Sequence, residues 1–164
     1  MRVSHHLLIA LGAMSLLAGT ASGQRPDNQL SPLSVTFLNQ GRQQLAAGKF
    51  DDASDSLESA LAADPRNRAA FVTLARVAQK QKLFGKSIRL ANKALALEPN
   101  DLDALEVQGE AMVELGAKAK AQANLAKLQK LCPSGCKQVV ELSGAISRGP
   151  TVAAATPPAP GKSN

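Results

Sequence analysis

Two cysteines, Cys132 and Cys136, bracket the stretch Leu131-Cys132-Pro133-Ser134-Gly135-Cys136. Thiols this close can form a disulfide, carry redox chemistry or contribute to a metal site. Metal binding asks for further ligands, and His5 and His6, at the extreme N-terminus, are the only histidines in the sequence. Thiol oxidoreductases usually separate their pair by two residues, ahead of a helix in a βαβ setting; here Pro133, Ser134 and Gly135 intervene and no strand pattern surrounds them. Asp51, Asp52, Asp55 and Glu58 form a carboxylate cluster, but they fall in the first turns of a predicted helix, where they face its dipole favourably. No nucleophile-elbow, phosphate-loop or metal-ligand pattern occurs. The expectation is therefore a non-enzyme with no catalytic residue, no cofactor and no metal.

The compartment bears on the thiols. Met1 and Arg2 open a short positive end, residues 7–18 are almost wholly apolar, and Gly19-Thr20-Ala21-Ser22-Gly23 supplies small residues before Gln24. That order predicts a cleaved signal peptide over residues 1–23 and a periplasmic or secreted protein. The apolar run is shorter than the roughly 20 residues a membrane-spanning helix requires, so no stable membrane insertion is expected after cleavage. An even cysteine count in an oxidising compartment suggests a Cys132–Cys136 disulfide that pins the end of the fold, and Pro133 and Gly135 make the tight reversal feasible. An envelope redox accessory factor acting through the same pair is the alternative.

The 164 residues hold one compact domain once the export segment is removed. Ala and Leu dominate an apolar fraction of 45%, with four Phe and no Trp or Tyr, which favours closely packed helices. Single-strand readers stack bases on aromatic rings, so this composition argues against a nucleic-acid partner. The formal charge of +6 is unevenly spread: residues 68–101 carry seven basic against two acidic residues, so the excess sits in the middle of the chain.

The elements that position these groups follow from an internal repeat. At an offset of 34 residues, Phe37, Phe71 and Leu105 align, as do Gly41, Ala75 and Gly109; Ala53, Ser87 and Ala121; Leu57, Ala91 and Leu125; Ala60, Ala94 and Leu128; and Pro65, Pro99 and Pro133. Small residues at the eighth and twentieth positions let two antiparallel helices cross closely, and proline stops the second. Asn67 or Asp101 can cap the helix that follows.

These residues resemble the tetratricopeptide repeat, a helix-turn-helix unit of the same period. The resemblance covers residues 34–135 and departs from the family at the fourth position, Phe or Leu in place of Trp, and at the eleventh, where Gln44, Ala78 and Met112 replace Tyr. It implies an all-α fold, an α-solenoid of three antiparallel helix pairs plus a C-terminal capping helix. The units fall at 34–67, 68–101 and 102–135, with helix pairs near 34–47 and 50–63, 68–81 and 84–97, and 102–115 and 118–131. A polar linker spans 24–33, where Ser31-Pro32 is a good helix start with Ser as cap. The capping helix spans 136–148, with Val139, Val140, Leu142 and Ile146 covering the last repeat, and a disordered tail rich in Pro and Ala spans 149–164. Leu131 to Cys136 before a final helix also resembles small exported bacterial tetratricopeptide proteins.

In such a fold the first helices of the units line a concave groove. The matching positions are Val35, Leu38, Arg42 and Ala46; Ala69, Val72, Arg76 and Lys80; and Asp103, Glu106, Glu110 and Glu114, running from apolar and basic to wholly acidic. That polarity can orient a bound peptide, or Arg76 can face Glu110 and Lys80 can face Glu114 as exposed pairs. The family's clamp for chaperone C-terminal carboxylates falls here on Leu38, Arg42, Thr73, Asp103 and Val107, so it is absent and Asp103 would repel such a ligand. Lys82, Lys86, Arg89 and Lys93 carry the basic charge of unit two onto its second helix as a stripe on one face, read as a solvated outer face, with a nucleic-acid or anionic surface as the alternative. The expected function is an exported adaptor or scaffold that holds a protein or peptide partner in the groove; a constitutive architectural subunit of an envelope complex is a further alternative.

Overall fold

The computed structural model describes residues 29–151. The signal peptide expected over 1–23, residues 24–28 of the linker and the tail beyond residue 151 lie outside the described residues. Seven helices follow one another, α1 (Pro32–Ala46), α2 (Phe50–Ala63), α3 (Arg68–Lys80), α4 (Phe84–Leu97), α5 (Leu102–Glu114), α6 (Lys118–Leu131) and α7 (Lys137–Arg148). Each packs against its neighbour in sequence, and α1, α3, α5 and α7 also pack side by side. None of the described helices is long and apolar enough to cross a membrane.

Helices of 12 to 15 residues are marginal in isolation, so their ends and faces must be held by neighbours. Asn67 caps α3 by accepting the Ala70 N–H at 3.1 Å, and Asp101 caps α5 by accepting that of Ala104 at 2.6 Å. Ser31 occupies the cap position of α1, but its hydroxyl makes no cap bond. Its backbone N–H instead donates to Asp64 Oδ2 at 2.9 Å, because the turn after α2 brings that carboxylate beneath the start of α1. Asn67 then reaches sideways, donating to Ser34 Oγ at 2.8 Å, while Ser34 donates to the Ala60 carbonyl at 2.7 Å. One turn thereby ties three helices together.

The turns inside each pair sit at equivalent places. Gly48, Lys82 and Gly116, spaced by the repeat period, all adopt left-handed backbone with φ of 73°, 60° and 74°. A side chain there costs about 1 kcal/mol or more, so Lys82 is a strained stand-in for the glycine of the flanking units. Ser87 is a comparable exception: it takes the twentieth position, where Ala53 and Ala121 stand, and its hydroxyl is buried without a partner among the described residues.

Packing follows the small residues. A Cβ on Gly41 would lie 2.6 Å from Leu57 Cγ, so α1 and α2 touch through a missing side chain. A Cβ on Gly109 would lie 2.7 Å from the methyls of Leu142, which places α7 over α5 in the same way. The capping stripe on α7 is Val139, Leu142, Ala145 and Ile146. Val140, expected to cover the last repeat, is 68% exposed. Cys136 serves as the N-cap, α7 begins one residue later than expected, and Val140 falls off the buried i, i+3, i+7 line.

Truncating Leu142 to alanine should cost about 2–4 kcal/mol of unfolding free energy, since the side chain is fully buried in the Gly109 notch. Chemical denaturation of the two proteins measures it, and an unchanged midpoint would remove α7 from the cooperative unit. Stability should also depend on acid through Asp64. Hydrogen bonds from the Arg66 side chain and the Ser31 N–H hold its pKa at about 2 rather than 3.8. Its contribution is therefore complete above the unfolded value and disappears as pH falls through the folded one. Asp64→Asn should be less stable than wild type near neutral pH, and the gap should close as pH drops towards 2; urea midpoints across that range read the difference.

Candidate peptide groove

Helices α1, α3 and α5 line one side of the solenoid. Arg42, Leu45, Arg68, Ala69, Val72, Thr73, Arg76, Asp101 and Asp103 enclose an open cleft of about 320 Å³ across them. Five of these nine occupy the groove positions expected from the repeat, while Leu45, Arg68, Thr73 and Asp101 do not. Arg68 pairs with Asp101. These two are the first and last residues of unit two, so the repeat register contains the signal for their meeting, although the four positions taken per helix pass over it.

Of the remaining expected positions, Val35, Ala46 and Lys80 are exposed and Leu38 is buried as core. Glu110, Glu114 and Lys80 line a second recess, of about 300 Å³, with Arg148 and Thr151. It opens where the C-terminal ends of α3, α5 and α7 come together. The four-carboxylate stripe on α5 is thus not one continuous acidic surface.

Its charges are already engaged. Glu106 is only 3% exposed and receives both Arg76 terminal nitrogens at 3.1 Å, a bidentate pair, while Asp103 takes the same guanidinium at 3.3 Å and the Gln138 amide at 2.9 Å. The ion-pair alternative set Arg76 opposite Glu110. The packing of α3 on α5 instead brings it one helical turn nearer the start of α5, to Glu106, and leaves Glu110 to accept from Gln79 at 3.4 Å. Burial, followed by the neighbouring Glu106 charge, raises the Glu110 pKa, so this carboxylate gives up its charge at a higher pH than an ordinary glutamate. Glu114 accepts from the Thr151 N–H and hydroxyl, both at 2.9 Å. Arg42 has no ionic partner among the described residues.

At the clamp positions, Leu38 and Val107 are buried, and the Thr73 hydroxyl donates to the Ala69 carbonyl at 2.7 Å. Asp103 presents a carboxylate where a terminal carboxylate would need a cation. Cys132 ends α6 and Cys136 precedes α7, both half-buried thiols in contact. The Cys136 side chain, and then burial, raise the Cys132 pKa, which is the opposite of an activated thiolate. No group of three or more His, Cys, Asp and Glu side chains among the described residues is placed to hold a metal.

Comparison with known proteins agrees with this architecture. The tetratricopeptide repeat family model matches residues 44–109. No curated protein sequence matches the chain. Among solved structures, the first tetratricopeptide domain of Spaghetti (RPAP3) bound to the HSP90 peptide SRMEEVD is 24% identical over 71% of this chain and 91% of its own, with a TM-score of 0.65. The Sgt2 tetratricopeptide domain from Aspergillus fumigatus is 17% identical over 76% of this chain and 83% of its own, at 0.68. The TPR2B domain of yeast Sti1, in complex with pHsp70, is 16% identical over 72% of this chain and 98% of its own, at 0.66. With the repeat model matching its central residues and the same helix-pair stack continuing on either side, the chain has the fold of tetratricopeptide repeat domains.

Proposed function

We propose that this chain is an exported protein-interaction module, an adaptor or scaffold, that holds an extended polypeptide with acidic and apolar side chains in the cleft between α1, α3 and α5. The observation that carries the reading is the composition of that cleft: Arg42 without an ionic partner, beside a floor of Leu45, Ala69 and Val72. The structural neighbours that hold HSP90 and Hsp70 peptides support a polypeptide as occupant. The missing clamp separates this ligand from those peptides, because the residues at the clamp positions offer no cation pair for a terminal carboxylate.

Export rests on the order of the N-terminal residues, and a Cys132–Cys136 disulfide suits both that compartment and the contact between the thiols. Such a bridge would fasten α7 to α6 and so protect the end of the groove. Mass analysis of protein recovered from outside the cytoplasm should find a chain starting at Gln24 whose cysteines are linked under non-reducing conditions; a chain starting at Met1 with two alkylatable thiols would refute both statements.

The groove itself is tested by fluorescence anisotropy with a labelled panel of acidic-apolar peptides. Arg42→Glu should weaken the best binder at least about tenfold, the scale expected when an attractive charge contact turns repulsive. Basic peptides of the same length should not compete. If Arg42→Glu binds unchanged while the fold persists, the cleft is not the binding site.

A further inference from the structure

The convex side carries a charge that the groove does not use. Helices α4 and α6 together hold Lys86, Arg89, Lys93, Lys118, Lys120, Lys127 and Lys130, and neither helix contains an acidic residue. Both pack on α5, where Asn92 of α4 and Asn124 of α6 bond the same buried Gln108 side chain, at 2.5 and 2.7 Å. Lys127 also reaches from α6 to the Pro99 carbonyl just beyond α4, at 2.6 Å. Among the described residues only Lys86 of this set has an ionic partner, Glu58 at 3.8 Å. Glu98, just after α4, accepts the Asn100 N–H of its own loop at 3.0 Å. Two exposed leucines complete the face, each one turn beyond a lysine of the same stripe: Leu97 after Lys93 and Leu131 after Lys127.

We infer that the convex face of α4 and α6 docks on a bilayer surface rich in anionic phospholipid headgroups. Six of the seven cations are lysines, compact point charges suited to a diffuse plane of phosphates rather than to the planar, bidentate recognition that arginine supplies. The face is convex and has no exposed aromatic ring to stack on a base, which disfavours a nucleic-acid strand. Leucines fringing lysines match the headgroup–acyl boundary. The neighbouring convex helix, α2, carries Asp51, Asp52, Asp55 and Glu58 with no cation. A bilayer would attract α4 and α6 and repel α2, which fixes how the solenoid lies and leaves the groove on the opposite side open to a partner.

Co-sedimentation of the full chain compares vesicles of phosphatidylcholine alone with vesicles containing phosphatidylglycerol. The reading is the gain on adding the anionic lipid, compared between wild type and variant, which share residues 1–23, so that any contribution of that segment is common to both. A large gain that high salt removes is expected. Arg89→Glu, Lys93→Glu and Lys120→Glu combined should reduce it by about a hundredfold or more. Circular dichroism melting shows whether that variant is folded, and if it is not, the milder set Arg89→Gln, Lys93→Gln and Lys120→Gln should still show a clear loss. Equal partitioning on both vesicle types, or an undiminished gain in a folded variant, overturns the proposal. Tighter retention on DNA at equal phosphate and salt would assign the face to nucleic acid, and salt-sensitive oligomers of the chain alone would assign it to a second copy; either outcome overturns it too.

Discussion

Close approach of helices through missing side chains is the constraint on which the rest of this molecule depends. Helices this short do not persist alone, and each gains stability by burying its apolar stripe on a neighbour. Gly41 lets Leu57 of α2 seat against α1, and Gly109 does the same for Leu142 of α7. Between them the alanines at positions 53, 60, 75, 91, 94, 104, 111 and 121 are wholly excluded from solvent. A core of so few aromatic residues works because the space between helix axes is small enough for alanine and leucine to fill. The turns obey the same geometry, which is why Lys82 is held at φ of 60° although a glycine would adopt that conformation without strain.

Polar groups then decide which helix meets which. Asn67 caps α3 and grips Ser34 of α1, and Gln108 joins α4 to α6 through two asparagines. Each is buried and bonded, so a slip of one residue would strand several donors in an apolar setting. The Arg76–Glu106 pair has the same character inside the groove. Because Glu106 is almost completely buried, its charge requires the guanidinium beside it, and both are removed from the list of groups a ligand could use. What the groove offers to solvent is consequently more basic than a count of its ionisable side chains suggests.

The two faces of the solenoid differ in how their charges are spent. On the concave side most carboxylates are matched by Arg76, Gln79, Gln138 or Thr151. On the convex side the lysines of α4 and α6 stand largely unmatched, the contact between Lys86 and Glu58 of α2 being the one ion pair they make among the described residues. Surface charge that the fold does not need costs little to retain and is free to act at longer range.

The repeat period, the helix pairs and the places of Asn67 and Asp101 as caps were legible in the residues, because helical periodicity and capping are local properties read along one chain. So was the loss of the carboxylate clamp, which depends on residue type alone. The partner of Arg76 was not legible, since the stagger of α3 on α5 is set by how side chains interlock across the interface, and that shift of one turn replaces Glu110 with Glu106. Val140 was misplaced for a different reason: at about 100° per residue it stands roughly 200° round α7 from Leu142, so the two side chains cannot share a face. The basic surface was visible as a stripe on α4, but the lysines of α6 join it only through packing around Gln108, a contact between residues 16 apart on either side. Local chemistry and periodicity therefore determined the elements and their order, whereas the register between helices decided which charges are neutralised and which remain exposed.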